Sequence, residues 1–145
     1  MPPMLRKEKM ETNKLYSIAE SRGITIDFLP LCENNAISVE LEGKGFIALD
    51  KRLVGRNAAE RVALAHELGH LATGALYSVN AETETVRRQE LSAHRWAIRH
   101  LVPYCELLSA LKSGVESLSD LAERFCVTEE FMEKTIKFYS ETKSA

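Results

Sequence analysis

The sequence has few cysteines, no excess of basic residues and no long apolar run. Its three cysteines, Cys32, Cys105 and Cys126, are widely spaced and form no Cys-x-x-Cys pair. This excludes a disulfide framework and predicts reduced, mostly buried thiols. The 19 Lys and Arg residues against 21 Asp and Glu give a net charge of -2. The balance removes any general electrostatic reason for binding nucleic acid or an anionic membrane.

Membrane insertion is not expected either. No run of about 18 apolar residues occurs, and the first residues carry charge without an apolar signal segment behind them. We therefore expect a cytoplasmic protein. With 145 residues, 45% of them apolar and 28% charged, the composition fits one globular domain over residues 1–145, with a C-terminal helical extension over about residues 104–145.

The pattern of apolar residues predicts an α+β fold. Alternation predicts strands over residues 24–28, 37–41 and 46–49, with a hairpin turn at residues 42–45. A small, mostly antiparallel sheet follows. Helical periodicity predicts helices over residues 12–22, 58–73, 84–102, 103–112, 118–125 and 129–139.

Several residues are of types that commonly begin or end helices. Gly23 and Gly74 are typical of left-handed helix stops. Asn57 and Glu60 have the spacing of a capping box, whose side chains satisfy unpaired backbone donors at a helix start. Thr128 is expected to cap the last helix.

The residues His66-Glu67-Leu68-Gly69-His70 form a His-Glu-x-x-His motif within a predicted helix. Residues four apart lie about 40° apart around a helix, so the two imidazoles share one face and can bind the same metal ion. Glu67 is offset from that pair and suits the role of a general base acting on water. Gly69 costs about 1 kcal/mol relative to Ala in a helix, which indicates that another element, such as a strand edge, packs closely there.

A catalytic zinc site needs three protein ligands and one open position, so a third ligand must come from another element. Glu90 on the next predicted helix is the preferred candidate, because its carboxylate completes a two-His, one-Glu set. His94, one turn later, stays open as a ligand, an orienting partner or a proton donor. Glu82 and Glu84 are weaker candidates, since acidic residues favour the first turn of a helix in any case.

If the metal site hydrolyses a carbonyl substrate, it also needs a hydrogen-bond donor to the developing oxyanion. The candidates are polar residues near the motifs, namely Tyr77, His94, His100 and Tyr104. Zinc is the expected metal, although manganese or iron would suit the same ligands.

Two motifs at this spacing resemble the ImmA/IrrE family of metallopeptidases. They are His66-Glu67-Leu68-Gly69-His70, followed by Thr73-Gly74 and Tyr77, and Glu90-x-x-Ala93-x-x-Trp96-Ala97, followed by Leu101-Val102-Pro103. The resemblance covers about residues 24–105. That family usually has Asp where His94 stands here, so the carboxylate that would accept a hydrogen bond from a ligating histidine is missing.

The resemblance implies a zinc-dependent, gluzincin-like endopeptidase with a zincin-like helical core. Its substrate would be a partner transcriptional repressor of the helix-turn-helix type, often on a mobile element or prophage, and its cleavage would derepress genes. Carried over residue by residue, His66, His70 and Glu90 would be the metal ligands and Glu67 the base.

Two other functions compete with this one. Residues 118–131 have the pattern of a helix-turn-helix, which would make the protein a DNA-binding regulator. Residues 115–141 contain seven acidic and three basic residues, however, and this net charge of -4 argues against contact with phosphates. The remaining alternative is a non-catalytic, metal-binding antirepressor that acts by protein association alone.

Overall fold

The computed structural model describes residues 3–74, 76 and 81–143. These residues form six α-helices and one three-stranded sheet, which confirms the predicted α+β class. In chain order the elements are α1 (Pro3–Ser21), β1 (Thr25–Leu29), β2 (Ala36–Leu41), β3 (Lys44–Asp50), a short 3-10 helix (Lys51–Leu53), α2 (Asn57–Thr73), α3 (Thr83–Leu101), α4 (Tyr104–Lys112), α5 (Leu118–Phe125) and α6 (Glu129–Lys143).

The sheet is mixed rather than mostly antiparallel. Its strand order is β1-β3-β2. The predicted hairpin of β2 and β3 is present, whereas β1 pairs in parallel with β3. β3 is therefore the central strand, and it carries the buried residues Ile47 and Leu49.

The outer edge of the sheet exposes apolar side chains. Ile37, Val39 and Leu41 of β2 alternate as a strand should, but they are all exposed. Val39 pairs across the strands with Phe46, which is also exposed. The apolar positions of β2 therefore lie on the face of the sheet opposite to the core.

The helix α2 is the centre of the molecule, because α1, α3, β2 and β3 all pack against it. Leu64, Leu68 and Ile98 are fully buried at these contacts. No helix among the described residues combines the length and the apolarity that crossing a membrane requires.

The predicted start of α2 is wrong in detail. The helix begins at Asn57, its N-cap is Arg56, and no side chain caps it. Glu60 instead accepts a 2.6 Å hydrogen bond from the hydroxyl of Tyr16 on α1. The predicted stop is confirmed, since Gly74 is in the left-handed conformation with φ of 69°.

Two further predictions need correction. The first helix begins at Pro3 rather than at residue 12, because residues 3–11 are good helix formers with little apolar periodicity to reveal them. The thiols are not mostly buried: Cys126 is buried, whereas Cys32 and Cys105 are exposed.

Candidate metal centre

The helices α2 and α3 come into backbone contact at Gly69. A Cβ atom added to Gly69 would lie 2.5 Å from the carbonyl oxygen of Ala93. The close neighbour that the sequence indicated is thus α3, not a strand edge. Ala93 and Ala97 are completely buried, as their small side chains allow. This contact brings the first half of α3 against the His-Glu-x-x-His motif.

The crossing brings together the three predicted ligands. Nε2 of His66 lies 2.7 Å from Oε2 of Glu90, and Nε2 of His70 lies 3.1 Å from Oε1 of the same carboxylate. The two imidazole rings are nearly perpendicular, with centroids 4.8 Å apart. Among the described residues, these three form the one group whose ligand atoms lie close enough together to hold a metal ion.

The donor set fits a divalent metal such as zinc. Two imidazole nitrogens and one carboxylate are common ligands of catalytic zinc. Atoms bound to one tetrahedral ion lie about 3.4 Å apart, and the ligand atoms here all lie within 4.8 Å of one another. The side chain of Glu90 is 40% exposed, whereas that of His70 is 6% exposed. The carboxylate therefore has room to rotate toward the ideal spacing.

An open cavity of about 850 Å³ adjoins this group. Residues of the loop before β2, of α2, of α3 and of α6 line it, and His66, Glu67 and Glu90 are among them. Glu67 is only 8% exposed. The structure therefore places the predicted base in the same cavity as two of the predicted ligands, and its catalytic role stays a prediction.

His94 lines the same cavity. Its ring packs edge-on against Phe131 of α6, with centroids 5.8 Å apart. Burial lowers the pKa of His94 below its ordinary value, the charges of His66 and Lys134 act in the same direction, and Glu90 opposes them. His94 is thus kept neutral near pH 7, with one ring nitrogen as donor and the other as acceptor.

The other candidate donors lie elsewhere or are not described. His100 is exposed, stacks on Trp96 and has Nδ1 2.8 Å from the Trp96 carbonyl oxygen. Tyr104 lines a separate small cavity with Tyr139. Tyr77 lies outside the described residues. His94 is therefore the one candidate donor that the described part of the chain places in the cavity.

The weaker ligand candidates are not part of the group that could hold a metal ion. Glu84 lines the cavity but pairs with Arg87 at 3.2 Å. Glu82 is the N-cap of α3. Both occupy the start of the helix, where acidic residues are favoured by the helix dipole.

Asp50 at the end of β3 was not singled out from the sequence. Its hydrogen bonds connect β3 to the chain segments that precede β2, on the strand side of the cavity. Its carboxylate accepts hydrogen bonds from Nε and the backbone N–H of Arg52 and from the backbone N–H of Leu31, at 2.7 to 3.0 Å. These bonds hold the pKa of Asp50 well below its usual range. Its own N–H donates to the carbonyl of Asn35, a residue that lines the cavity.

The last helix, α6, also contributes to the cavity, which the sequence did not reveal. Phe131 and Lys134 line it from the N-terminal half of α6, and Thr128 lines it from the position directly before this helix. Thr128 caps this helix as predicted, since its hydroxyl accepts a hydrogen bond from the N–H of Phe131. The start of α6, the second helix of the predicted helix-turn-helix, therefore lines the same cavity as the candidate metal centre.

The buried side chain of Arg61 joins α2 to this helical pair. It is 2% exposed, and its Nη1 donates to the carbonyl oxygens of Phe125 and Cys126 at 2.7 and 3.1 Å. Cys126 adopts a left-handed conformation at the turn between α5 and α6. The partners are 64 and 65 residues away in sequence, so no local pattern could have indicated the contact.

Comparison with known proteins identifies the family. Neither the curated proteins nor the solved structures include a match to this chain. The family model described as Peptidase_M78, IrrE N-terminal-like domain, matches residues 19–137. This range contains the two histidines, Glu67, Glu90 and the residues of α6 that line the cavity. The chain therefore belongs to the M78 peptidase family, as a member with the IrrE N-terminal-like domain.

Proposed function

We propose that this protein is a zinc-dependent endopeptidase that cleaves a helix-turn-helix transcriptional repressor. The observation that carries the proposal is the convergence of His66, His70 and Glu90 beside Glu67 in one open cavity. Membership of a peptidase family supports the same reaction class. The repressor as substrate rests on the resemblance of the two motifs to the ImmA/IrrE metallopeptidases, and the reaction would take place in the cytoplasm.

His66, His70 and Glu90 would hold the metal. Zinc is the preferred ion for this set, and manganese or iron would be accepted by the same ligands. When bound, the ion supplies Lewis acidity that polarises a peptide carbonyl and acidifies water. The motif helix fixes both imidazoles, and the contact of Gly69 with Ala93 fixes the distance to the carboxylate.

The remaining steps use residues of the cavity. Glu67 accepts a proton from the attacking water and returns it to the leaving amine, so that one carboxylate serves as base and then as acid. His94 donates a hydrogen bond to the oxyanion that forms at the scissile carbonyl. Neutral His94 is suited to this because it keeps one N–H donor. Tyr77 stays a second candidate for this donor.

The first test compares wild-type protein with Glu67→Gln, both loaded with zinc. Each protein is incubated with a complex peptide mixture, and new termini are identified by mass spectrometry. Wild type should generate new termini at neutral pH, whereas the variant should lose about 100-fold or more of the rate, because the general base is missing. Equal cleavage by the two proteins would exclude Glu67 as the base.

The second test concerns the repressor. Zinc-loaded Glu67→Gln protein serves as a trap in host cells, and each captured repressor is then purified and incubated with wild type. Cleavage of the repressor by wild type alone supports the proposal. Relief of repression by Glu67→Gln with the repressor intact would instead support a non-catalytic antirepressor.

DNA binding is not proposed as a second function. The α5–α6 pair has a turn of the kind found in helix-turn-helix proteins, but α6 begins with Glu129 and Glu130. Its N-terminal half lines the cavity rather than standing free. Both features oppose entry of this helix into a DNA groove.

A further inference from the structure

Three arginines form a straight line along the outer side of α3. Arg88, Arg95 and Arg99, here called the arginine stripe, are separated by seven and four residues. On an α-helix these positions lie within about 40° of one another and extend over about 16 Å. All three side chains are exposed. None of them forms an ion pair with a carboxylate in the part of the chain that the structure describes.

This concentration of charge opposes helix stability. Like charges four residues apart, as in Arg95 and Arg99, destabilise a helix. The acidic residues of α3 do not relieve the repulsion, because Glu84 pairs with Arg87 and Glu90 contacts the two histidines. The chain as a whole has a net charge of -2. The arginine stripe is therefore a local excess of positive charge that no carboxylate among the described residues neutralises, although Arg99 lies in the last turn of α3, where the helix dipole favours a cation.

The arginine stripe is continuous with the candidate active site. Arg88 lines the cavity, and so does Leu91, which is 42% exposed. Arg95 and Arg99 continue from there along the helix, away from the metal centre. A polypeptide that occupies the cavity and leaves it along α3 would pass over all three guanidinium groups.

We propose that the arginine stripe binds an acidic segment of the protein substrate, located to one side of the scissile bond. The proposal rests on the proposed peptidase function and adds a specificity determinant to it. Guanidinium groups bind carboxylates in bidentate geometry. A span of about 16 Å corresponds to roughly five residues of extended chain, so the segment would carry several Asp or Glu residues within that length.

Nucleic acid is a poorer fit for the same surface. Three arginines neutralise few phosphates, and non-specific binding to nucleic acid depends on many such contacts. Glu130 lines the cavity and pairs there with Lys134 at 3.3 Å, but both belong to a segment, residues 115–141, whose net charge is -4. A short run of carboxylates needs only the length of the arginine stripe, whereas a long polyanion would extend beyond it without gaining further arginines of the stripe.

The test measures binding without hydrolysis. A fluorescein-labelled polyglutamate peptide is titrated at low salt with zinc-loaded Glu67→Gln protein, with and without the added changes Arg95→Gln and Arg99→Gln. The matched control carries Arg22→Gln and Lys112→Gln, which remove the same charge from exposed positions on α1–β1 and α4. The stripe variant should bind at least about fivefold more weakly, and the control should bind like its parent.

An equal loss in both variants would overturn the proposal, because it would show that only net charge matters. Binding of a labelled 20-base-pair duplex in preference to polyglutamate would overturn it in favour of nucleic acid. Because binding is measured on a variant that lacks the base, the result stands even if the peptidase proposal fails. Where cleavage occurs, the stripe variant should raise KM for peptides with an acidic flank and leave kcat unchanged.

Discussion

At the scale of single residues, Gly69 has the largest effect on the geometry of the site. It lies between the two histidines on α2, and its missing side chain lets α3 approach within contact of its backbone. We predict that Gly69→Ala separates the helices and weakens zinc binding at least tenfold, because Glu90 moves away from the histidines. Stability should fall by about 1–3 kcal/mol from overpacking, partly offset by about 1 kcal/mol of helix propensity.

A zinc competition titration and urea unfolding measure the two effects of Gly69→Ala. Gly45→Ala is the matched control, since its added Cβ would meet only flexible side-chain atoms of Ile24 and Leu71, at 3.0 Å. The control should lose some stability and keep its zinc affinity. Unchanged zinc binding in Gly69→Ala would show that the helix contact does not set the ligand geometry.

Tyr16 gives a prediction about alkaline pH. Burial first, and then the hydrogen bond and charge of Glu60, raise the pKa of Tyr16 above its ordinary value of 10.0. The folded protein therefore keeps the proton at pH values where the unfolded chain loses it. The stabilisation is fully present below about pH 10 and declines as the pH rises further.

Urea unfolding of wild type and Tyr16→Phe at pH 7.5 and pH 10.5 tests this. The variant should be about 1–2 kcal/mol less stable at the lower pH, because it lacks the hydrogen bond to Glu60. The difference should shrink at the higher pH. A difference that grows with pH would contradict the raised pKa.

The sequence predicted the site residues unevenly, for physical reasons. His66 and His70 are four residues apart on one helix, so their common face follows from helix geometry alone. Glu90 required that the next helix pack against α2. Gly69 indicated a close neighbour, but only the structure shows that this neighbour is α3 rather than a strand edge. Tyr16, the partner of Glu60, lies 44 residues away, and Leu31, the distant partner of Asp50, lies 19 residues away. Only the tertiary structure brings these pairs together.

At the scale of elements, the position of the α5–α6 pair depends on contacts of α2. Arg61 donates to two carbonyls at the α5–α6 turn. We predict that Arg61→Met destabilises the protein by about 2–3 kcal/mol, because the buried carbonyls lose their donor while packing is roughly kept. Hydrogen exchange in α5 and α6 should accelerate more than exchange in β3, and activity should fall because α6 lines the cavity.

Arg124→Met supplies the control for this prediction. Arg124 is on the same helical pair but is exposed, so the same chemical change there should alter stability by less than about 0.5 kcal/mol. If hydrogen exchange accelerated equally in all elements of the Arg61→Met protein, Arg61 would stabilise the whole fold rather than the contact between α2 and the α5–α6 pair.

Most helices were predicted well because they carry their own period and end signals, whereas the first nine residues of α1 have little periodicity and were missed. α5 was predicted at its observed bounds, and the capping threonine of α6 was correct. The sheet was predicted less well. Alternation located the strands but did not reveal that β1 pairs in parallel with β3, because β2 intervenes in sequence. Nor did it reveal that the apolar positions of β2 are exposed.

At the scale of the whole molecule, metal binding should be coupled to folding. The three candidate ligands lie on α2 and α3, the two helices with the most extensive mutual packing. An ion held by both helices binds the folded state and has no preformed site in the unfolded chain. Free zinc at 100 times its dissociation constant should therefore stabilise the protein by about 2.7 kcal/mol and raise Tm by about 5–10 °C.

Thermal unfolding is measured with zinc and with a chelator for a set of variants. The comparison distinguishes the metal ligands from neighbouring residues that do not bind the ion. His70→Gln and Glu90→Gln should lose the zinc-dependent rise in Tm, because each removes one of three ligands. Glu67→Gln should keep it, since a general base is not needed to hold the ion. Glu84→Gln removes a carboxylate from the same cavity but not from the ligand group, and should also keep it. If the zinc-dependent rise in Tm survived in Glu90→Gln and disappeared in Glu84→Gln, the third ligand would be Glu84 rather than Glu90.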